Sequence, residues 1–142
     1  MTRLYRTLLE GGCSHTEQHE AGRALLRSVL GDAQVDRLEI APGGRPYIPG
    51  GPDFSISHCD GLVLLAVSDA GRVGCDAEPL NRRIHNPEAI RKKLAPTAEE
   101  EHLTLLQLWT RREAIFKAGG AGEVTYPHVA EGYIVAVCES KI

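Results

Sequence analysis

Phe54-Ser55-Ile56-Ser57, Leu62-Val63-Leu64-Leu65-Ala66-Val67 and Val73-Gly74-Cys75-Asp76-Ala77 follow one another with only short turns between them. The first alternates apolar and polar residues, as a half-buried strand does. The second and third are apolar runs of strand length. Asp69-Ala70-Gly71-Arg72 reads as a hairpin turn joining them. Three strands in a row with tight connections predict antiparallel sheet. Residues two apart in a strand share a face, so Asp76 and Glu78 present their carboxylates together before Pro79 stops the strand.

Working outward, residues 2–9 read as a short strand, broken by Gly11-Gly12. Ser14 or Thr16 caps a helix running to about Leu30, with Glu17 placed to complete a box from Ser14. Ala21, Ala24, Leu25 and Val29 form its apolar stripe. Gly31-Asp32 ends it, Val35 to Ile40 reads as a strand, and residues 41–52 are rich in breakers apart from Tyr47-Ile48. Downstream, residues 81–96 are basic and irregular, with a helix at Pro87–Leu94. Thr97 and Glu100 form a second capping box, and a helix spans about Leu103 to Ala118. Gly119-Gly120-Ala121-Gly122 terminates it, and Gly132 to Cys138 reads as a last strand. The expected class is α+β, with antiparallel strands packed against helices. The 142 residues suit one domain or two very small halves, 1–68 and 69–142, the second carrying the carboxylates.

The composition excludes several functions. Hydrophobic residues make up 42% and charged residues 25%, the balance of a globular protein. A net charge of −3 gives no global field for nucleic acid, and 5% aromatics give no stacking platform. No apolar run approaches the roughly 20 residues that span a bilayer. The start of the chain has no apolar stretch behind its basic residues, so a cytoplasmic location is expected, with no membrane partner. Cys13, Cys59, Cys75 and Cys138 form no zinc spacing and are expected as reduced thiols. His15 and His19 share a helix face but lack the further ligands that zinc needs.

The chemistry lies in two clusters. Asp76 and Glu78 repel each other unless a cation or basic group lies between them. Hard oxygen donors of this kind suit Mg²⁺, which takes one or two carboxylates and fills its shell with water and phosphate. The alternative is a solvated acidic strand end. The second cluster is Trp109-Thr110-Arg111-Arg112-Glu113-Ala114-Ile115-Phe116-Lys117. At about 100° per residue, Leu105, Trp109, Arg112 and Phe116 share one face, so Arg112 falls inside an apolar stripe and requires an anion. Glu113 and Lys117, roughly 40° apart by the same geometry, read either as site residues or as an i,i+4 surface pair. Arg45, in a rigid Gly-Arg-Pro loop, reads as a phosphate contact or a solvated cation. His58, at a strand end, reads as a phosphate donor or a backbone cap. No Walker loop or dinucleotide fingerprint is present. Ser57, His58 and Asp76 make no hydrolase triad, because Ser57 and His58 point to opposite faces.

Gly44-Arg45-Pro46, Phe54 to His58, Val73 to Glu78 and Trp109 to Lys117, in that order, resemble the 4′-phosphopantetheinyl transferases of the surfactin-synthetase-type branch. The resemblance implies that fold, with two pseudo-symmetric halves. It implies transfer of phosphopantetheine from coenzyme A to a serine of an apo acyl or peptidyl carrier protein, with release of adenosine 3′,5′-bisphosphate. Carried over by position, Asp76, Glu78 and Glu113 are the Mg²⁺ ligands and Glu113 deprotonates the carrier serine. Lys117 and His58 stabilise the phosphates, and Arg45 and Arg112 are basic positions toward coenzyme A.

The sequence departs from that branch in three ways. Arg112 replaces a lysine of the usual motif, a fork in place of a point charge. Cys75 and Ala77 replace larger aliphatics. The first half is short, without the basic helix that holds the nucleotide in larger members; Arg23 and Arg27 are the expected substitutes. A shortened half is also compatible with a second copy completing the site, so the expected state is a monomer or small homo-oligomer. Arg82, Arg83, Arg91, Lys92 and Lys93 offer a docking patch for an acidic carrier, or simply a solvated face. Two rival readings remain: a non-catalytic module that binds coenzyme A or carrier, and a Mg²⁺-dependent phosphohydrolase.

Overall fold

The computed structural model describes residues 2–141. Strand β1 (Thr2–Leu8) leads to helix α1 (His15–Leu30), a single turn α2 (Asp32–Val35) and a two-residue ladder of β2 (Glu39–Ile40) with β3 (Pro46–Tyr47). Then come β4 (Asp53–Cys59), β5 (Leu62–Ser68), β6 (Arg72–Pro79), α3 (Pro87–Leu94), α4 (Leu105–Lys117), β7 (Glu123–Thr125) and β8 (Tyr133–Ser140). The architecture is mixed, with antiparallel sheets and helices, as the α+β expectation requires.

Two three-stranded sheets carry the molecule, ordered β1-β5-β4 and β6-β8-β7. Each is strand, helix, strand, strand in sequence, with the last strand in the middle. Helix α1 packs on the first sheet through Leu26, over Phe54, Leu65 and Val67. Helix α4 packs on the second through Ala114 and Ala118, over Ala136 and Cys138. Between the sheets Leu62, Leu64 and Ala66 of β5 meet Val73, Cys75 and Ala77 of β6 and Val135 and Val137 of β8. β5 is buried along its whole length, which explains its unbroken apolar run.

β4 and β6 lie side by side but are not joined by a backbone ladder. Asp53, Ser55 and Ser57 accept the backbone N–H groups of Val73, Cys75 and Ala77 at 2.7, 3.0 and 3.1 Å. The strands therefore run parallel, in step, through side chains. The polar residues of β4 are thus buried in a joint, not turned to water as the alternation suggested, because each hydroxyl replaces the amide partner that water would supply. Asp69 to Arg72 likewise make no hairpin: β5 pairs with β1 and β4, β6 with β8, and the turn carries the chain from one sheet to the other.

Three more expectations are corrected. Residues 35–38 are not strand; α2 and its closing turn occupy them, and only Glu39–Ile40 pair. Thr97 and Glu100 form a turn, with Thr97 N–H 3.1 Å from Glu100 Oε1, but no helix grows from it. Helix α4 starts instead at a capping box of Thr104 and Gln107. The buried residues of α4 are Leu108, Thr110 and Ala114, whereas Phe116 is 78% exposed. The predicted stripe was turned toward the wrong face because Gly74 draws the small side of the helix onto the sheet. At the N-terminal end, Ser14 caps α1 with Glu17 as expected. Among the described residues, no helix is long and apolar enough to cross a membrane.

Candidate functional site

On β6 the odd residues enter the core, so Gly74, Asp76 and Glu78 face α4. A Cβ on Gly74 would meet Ala114 O at 2.1 Å and Ala118 N at 2.6 Å. The glycine therefore lets the helix backbone rest directly on the strand. That approach brings Lys117 Nζ to 3.0 Å from Cys75 O and 3.4 Å from Asp76 Oδ1.

Asp76 is 7% exposed. Its Oδ1 also accepts the Ser57 hydroxyl at 3.3 Å, while its buried Oδ2 has no hydrogen-bond partner among the described residues. Burial pushes its pKa up to about 6, with the charges of Glu78 and Glu113 adding and Lys117 opposing. An orphaned, buried carboxylate oxygen beside two more carboxylates is the arrangement a hard cation relieves.

Glu78 is paired with Arg82, whose guanidinium lies 5.4 Å from the centre of the Trp109 ring. Glu113 stands one helical turn before Lys117, half-buried. Among the described residues no three histidine, cysteine or acidic side chains are gathered closely enough to cage an ion. The donor chemistry of Asp76, Glu78 and Glu113 is of the kind that fits Mg²⁺.

A trough runs from this site beneath the Gly43–Pro46 loop. One part, about 410 Å³, lies between that loop and Phe54, Ser55, Ile56, Arg72, Phe116 and Lys117. The adjoining part, about 320 Å³, is lined by His19, Arg23, Ile40 and His58 and shares Gly44, Pro46 and Ile56 with the first. His58 Nδ1 is 2.9 Å from Oε1 of the buried Gln18, so the ring is oriented from α1. Burial first, then the neighbouring His15, His19 and Lys117, lower its pKa. His15 joins this group edge-on, its ring centre 5.4 Å from that of His58.

The sequence-predicted cations divide into two sets. Lys117, His58 and Arg23 line the trough. Arg45 lines it too, but one guanidinium nitrogen is committed to Asp53, Phe54 O and Val73 O, so it pins the joint between β4 and β6. Arg112 has its anion inside the protein: its Nη2 and Nε lie 2.7 and 3.0 Å from the two oxygens of Glu100, and Nη1 bonds Leu94 O at 2.8 Å. The hydrogen bonds from Arg112 hold Glu100 down to about 2. Arg27 pairs with Asp32 and Asp36 at the end of α1, and Arg91 bonds Leu103 O and Glu101 O. Gln18 and Arg72 were not singled out from the sequence, and Ser57, Arg82 and Glu100 were read there in other roles, as a triad candidate, a docking cation and a helix cap. The serine had a legible signal, the period-two Ser55-Ser57 repeat, and Arg82 a local one, its i,i+4 spacing from Glu78; Gln18 and Glu100 depend on contacts distant in sequence.

No family model matches the chain. Curated relatives do. The 4′-phosphopantetheinyl transferase AcpT of Salmonella typhimurium is 30% identical over 112 residues, 70% of this chain and 57% of that protein. HetI of Nostoc sp., also named a 4′-phosphopantetheinyl transferase, is 31% identical over 132 residues, 76% of this chain and 54% of its own. AcpT of Escherichia coli K12 is 30% identical over 116 residues, 73% of this chain and 58% of its own. The chain spans little more than half the length of these relatives. Their agreement with one another in name, and with the four ordered motifs that meet around Asp76 and its trough, places the chain in the 4′-phosphopantetheinyl transferase superfamily.

Proposed function

We propose that the chain transfers 4′-phosphopantetheine from coenzyme A to the serine hydroxyl of an apo acyl or peptidyl carrier protein, releasing adenosine 3′,5′-bisphosphate. The observation that carries this reading is the buried, unpartnered Oδ2 of Asp76, beside Lys117 and at the head of a trough edged by cations.

Asp76, Glu78 and Glu113 would hold Mg²⁺. When bound there, the ion would neutralise the pyrophosphate and polarise the reacting phosphorus. Glu113, half-buried on α4, takes the proton of the carrier serine. The serine oxygen then forms its bond to phosphorus as the phosphorus–oxygen bond to the nucleotide breaks. Lys117 and His58 stabilise the charge on the transferred and leaving phosphates. Arg23, across the trough, suits the nucleotide end of coenzyme A.

The test is the intact mass of an apo carrier after incubation with this protein, coenzyme A and Mg²⁺, with EDTA as control. A gain of one phosphopantetheine, lost with EDTA, supports both the reaction and the ion. A second reading, a coenzyme A- or carrier-binding module without transfer, is favoured by one observation: Glu78 is already engaged by Arg82. Coenzyme A binding by calorimetry, with no mass gain across several carriers, would select that module.

A further inference from the structure

Arg82 is anchored where a metal-site cation is wanted. Its backbone N–H returns to Pro79 O at 3.0 Å in a turn that folds residue 82 over the end of β6, and Leu80 N–H is tied to Gly132 O at 2.8 Å. The guanidinium then spans two elements, bonding Glu78 Oε1 on β6 and covering the Trp109 ring on α4. Trp109 precedes Glu113 by four residues, one helical turn, so the ring that Arg82 covers belongs to the helix that carries Glu113. The pair is lopsided: the Glu78 side chain is 14% exposed and that of Arg82 41%. A shielded carboxylate held by a solvent-facing cation is an arrangement from which the cation can leave without being stranded, since water replaces its lost partner.

We infer that Arg82 is the resident counter-cation of Glu78, displaced when a divalent ion binds. The inference rests on reading Asp76, Glu78 and Glu113 as the metal ligands. Without the ion, Arg82 offsets the repulsion between Glu78 and Asp76 that the close carboxylates create. With the ion, the Glu78 carboxylate would be drawn to the metal, so the two cations would compete for it. Arg82 thereby weakens metal binding, and its departure from the Trp109 face changes the surroundings of the chain's one tryptophan. A planar guanidinium suits this post because it both forks onto a carboxylate and stacks on an indole.

The test needs neither coenzyme A nor carrier. The full chain is titrated with MgCl₂ and MnCl₂ alone, followed by calorimetry and by Trp109 fluorescence, and compared with Arg82→Ala and Arg83→Ala. Loss of one half-exposed ion pair and one cation–π contact should tighten metal binding about tenfold in Arg82→Ala, with the fluorescence response lost. Arg83, exposed on the same segment, serves as the charge control; its removal should change affinity by less than about twofold, since screened charges act weakly at that range. Arg82→Gln, which keeps a polar side chain, replaces the alanine variant if circular dichroism shows the latter misfolded. Equal or weaker binding by the folded Arg82 variant overturns the inference while leaving the metal ligands in place. So does an equal gain in Arg83→Ala. Binding by none of the proteins overturns both the inference and the metal reading.

Discussion

Lys117 and Asp76 form a one-sided pair: Nζ lies 3.4 Å from Oδ1, while the buried Oδ2 has no hydrogen-bond partner among the described residues. The lysine therefore satisfies half of the carboxylate and leaves the other half for a ligand. A group kept this way is a cost to the empty protein, and that cost can be measured.

Asp76 is the first test. Its folded pKa of about 6 lies above the ordinary 3.8, so between these values the folded chain holds a proton that the unfolded chain has released. The contribution to stability is full below the ordinary value and falls as pH rises through about 6. Asp76→Asn should therefore raise stability at pH 7 in EDTA, on the order of 1–2 kcal/mol, while abolishing transfer. Urea denaturation with and without Mg²⁺ measures the first effect and carrier mass the second. A variant less stable than wild type at neutral pH would contradict the account.

Glu100 runs the other way. Its folded pKa of about 2 lies below the ordinary 4.5, so its contribution is present above the ordinary value and lost as pH falls toward 2. Glu100→Gln should cost about 2 kcal/mol at pH 7, since it leaves Arg111 and Arg112 short of their shared partner. The gap between variant and wild type should close on acidification. A constant gap across that range would mean that packing, not charge, holds the residue.

Gly74→Ala should destabilise by about 2–3 kcal/mol, because the added methyl collides with backbone and has no flexible side chain to displace. Lifting α4 also moves Lys117 away from Asp76, so transfer should fall by more than the loss of folded protein explains. Denaturant midpoints and turnover per folded molecule separate the two effects.

Glu113→Gln should lower transfer about 10²–10⁴-fold, the usual worth of a positioned proton acceptor. The side chain is half-buried and makes no ion pair among the described residues, so the melting temperature should move little. Unchanged turnover would remove Glu113 from the mechanism.

If an acidic carrier docks on the basic segment, Arg83 and, on α3, Lys92 and Lys93 are exposed cations there that remain available. Raising ionic strength should then raise KM for the carrier more than it lowers kcat, and Lys92→Ala with Lys93→Ala should flatten that dependence. An apparent affinity indifferent to salt would move docking elsewhere.

Local signals carried most of the elements. The Ser14 cap, the Gly119–Gly122 stop and the apolar run at residues 62–67 each act within a few residues, and each was legible. What was lost depends on distant partners. Arg112 was rightly read as requiring an anion, yet the anion, Glu100, had been assigned to a helix cap; one carboxylate serves Thr97, Arg111 and Arg112 together. The helical face of α4 was misplaced because two alanines and a glycine, not the large residues, set the approach of helix to strand. For the site, the carboxylates and Lys117 were legible as a group. The duty of Arg45 at the joint was not, since it depends on Val73, a residue of a different sheet.

Ser57 accepts the amide of Ala77 and donates to Asp76 with the same hydroxyl. The first sheet thus sets the angle at which the second presents its principal carboxylate. Residues 69–142 contain all three acids and the lysine, but not the bracket that aims them. Severed between the sheets, the two peptides should each be inert, and mixing them should restore function only insofar as the row of Asp53, Ser55 and Ser57 finds its opposite amides again.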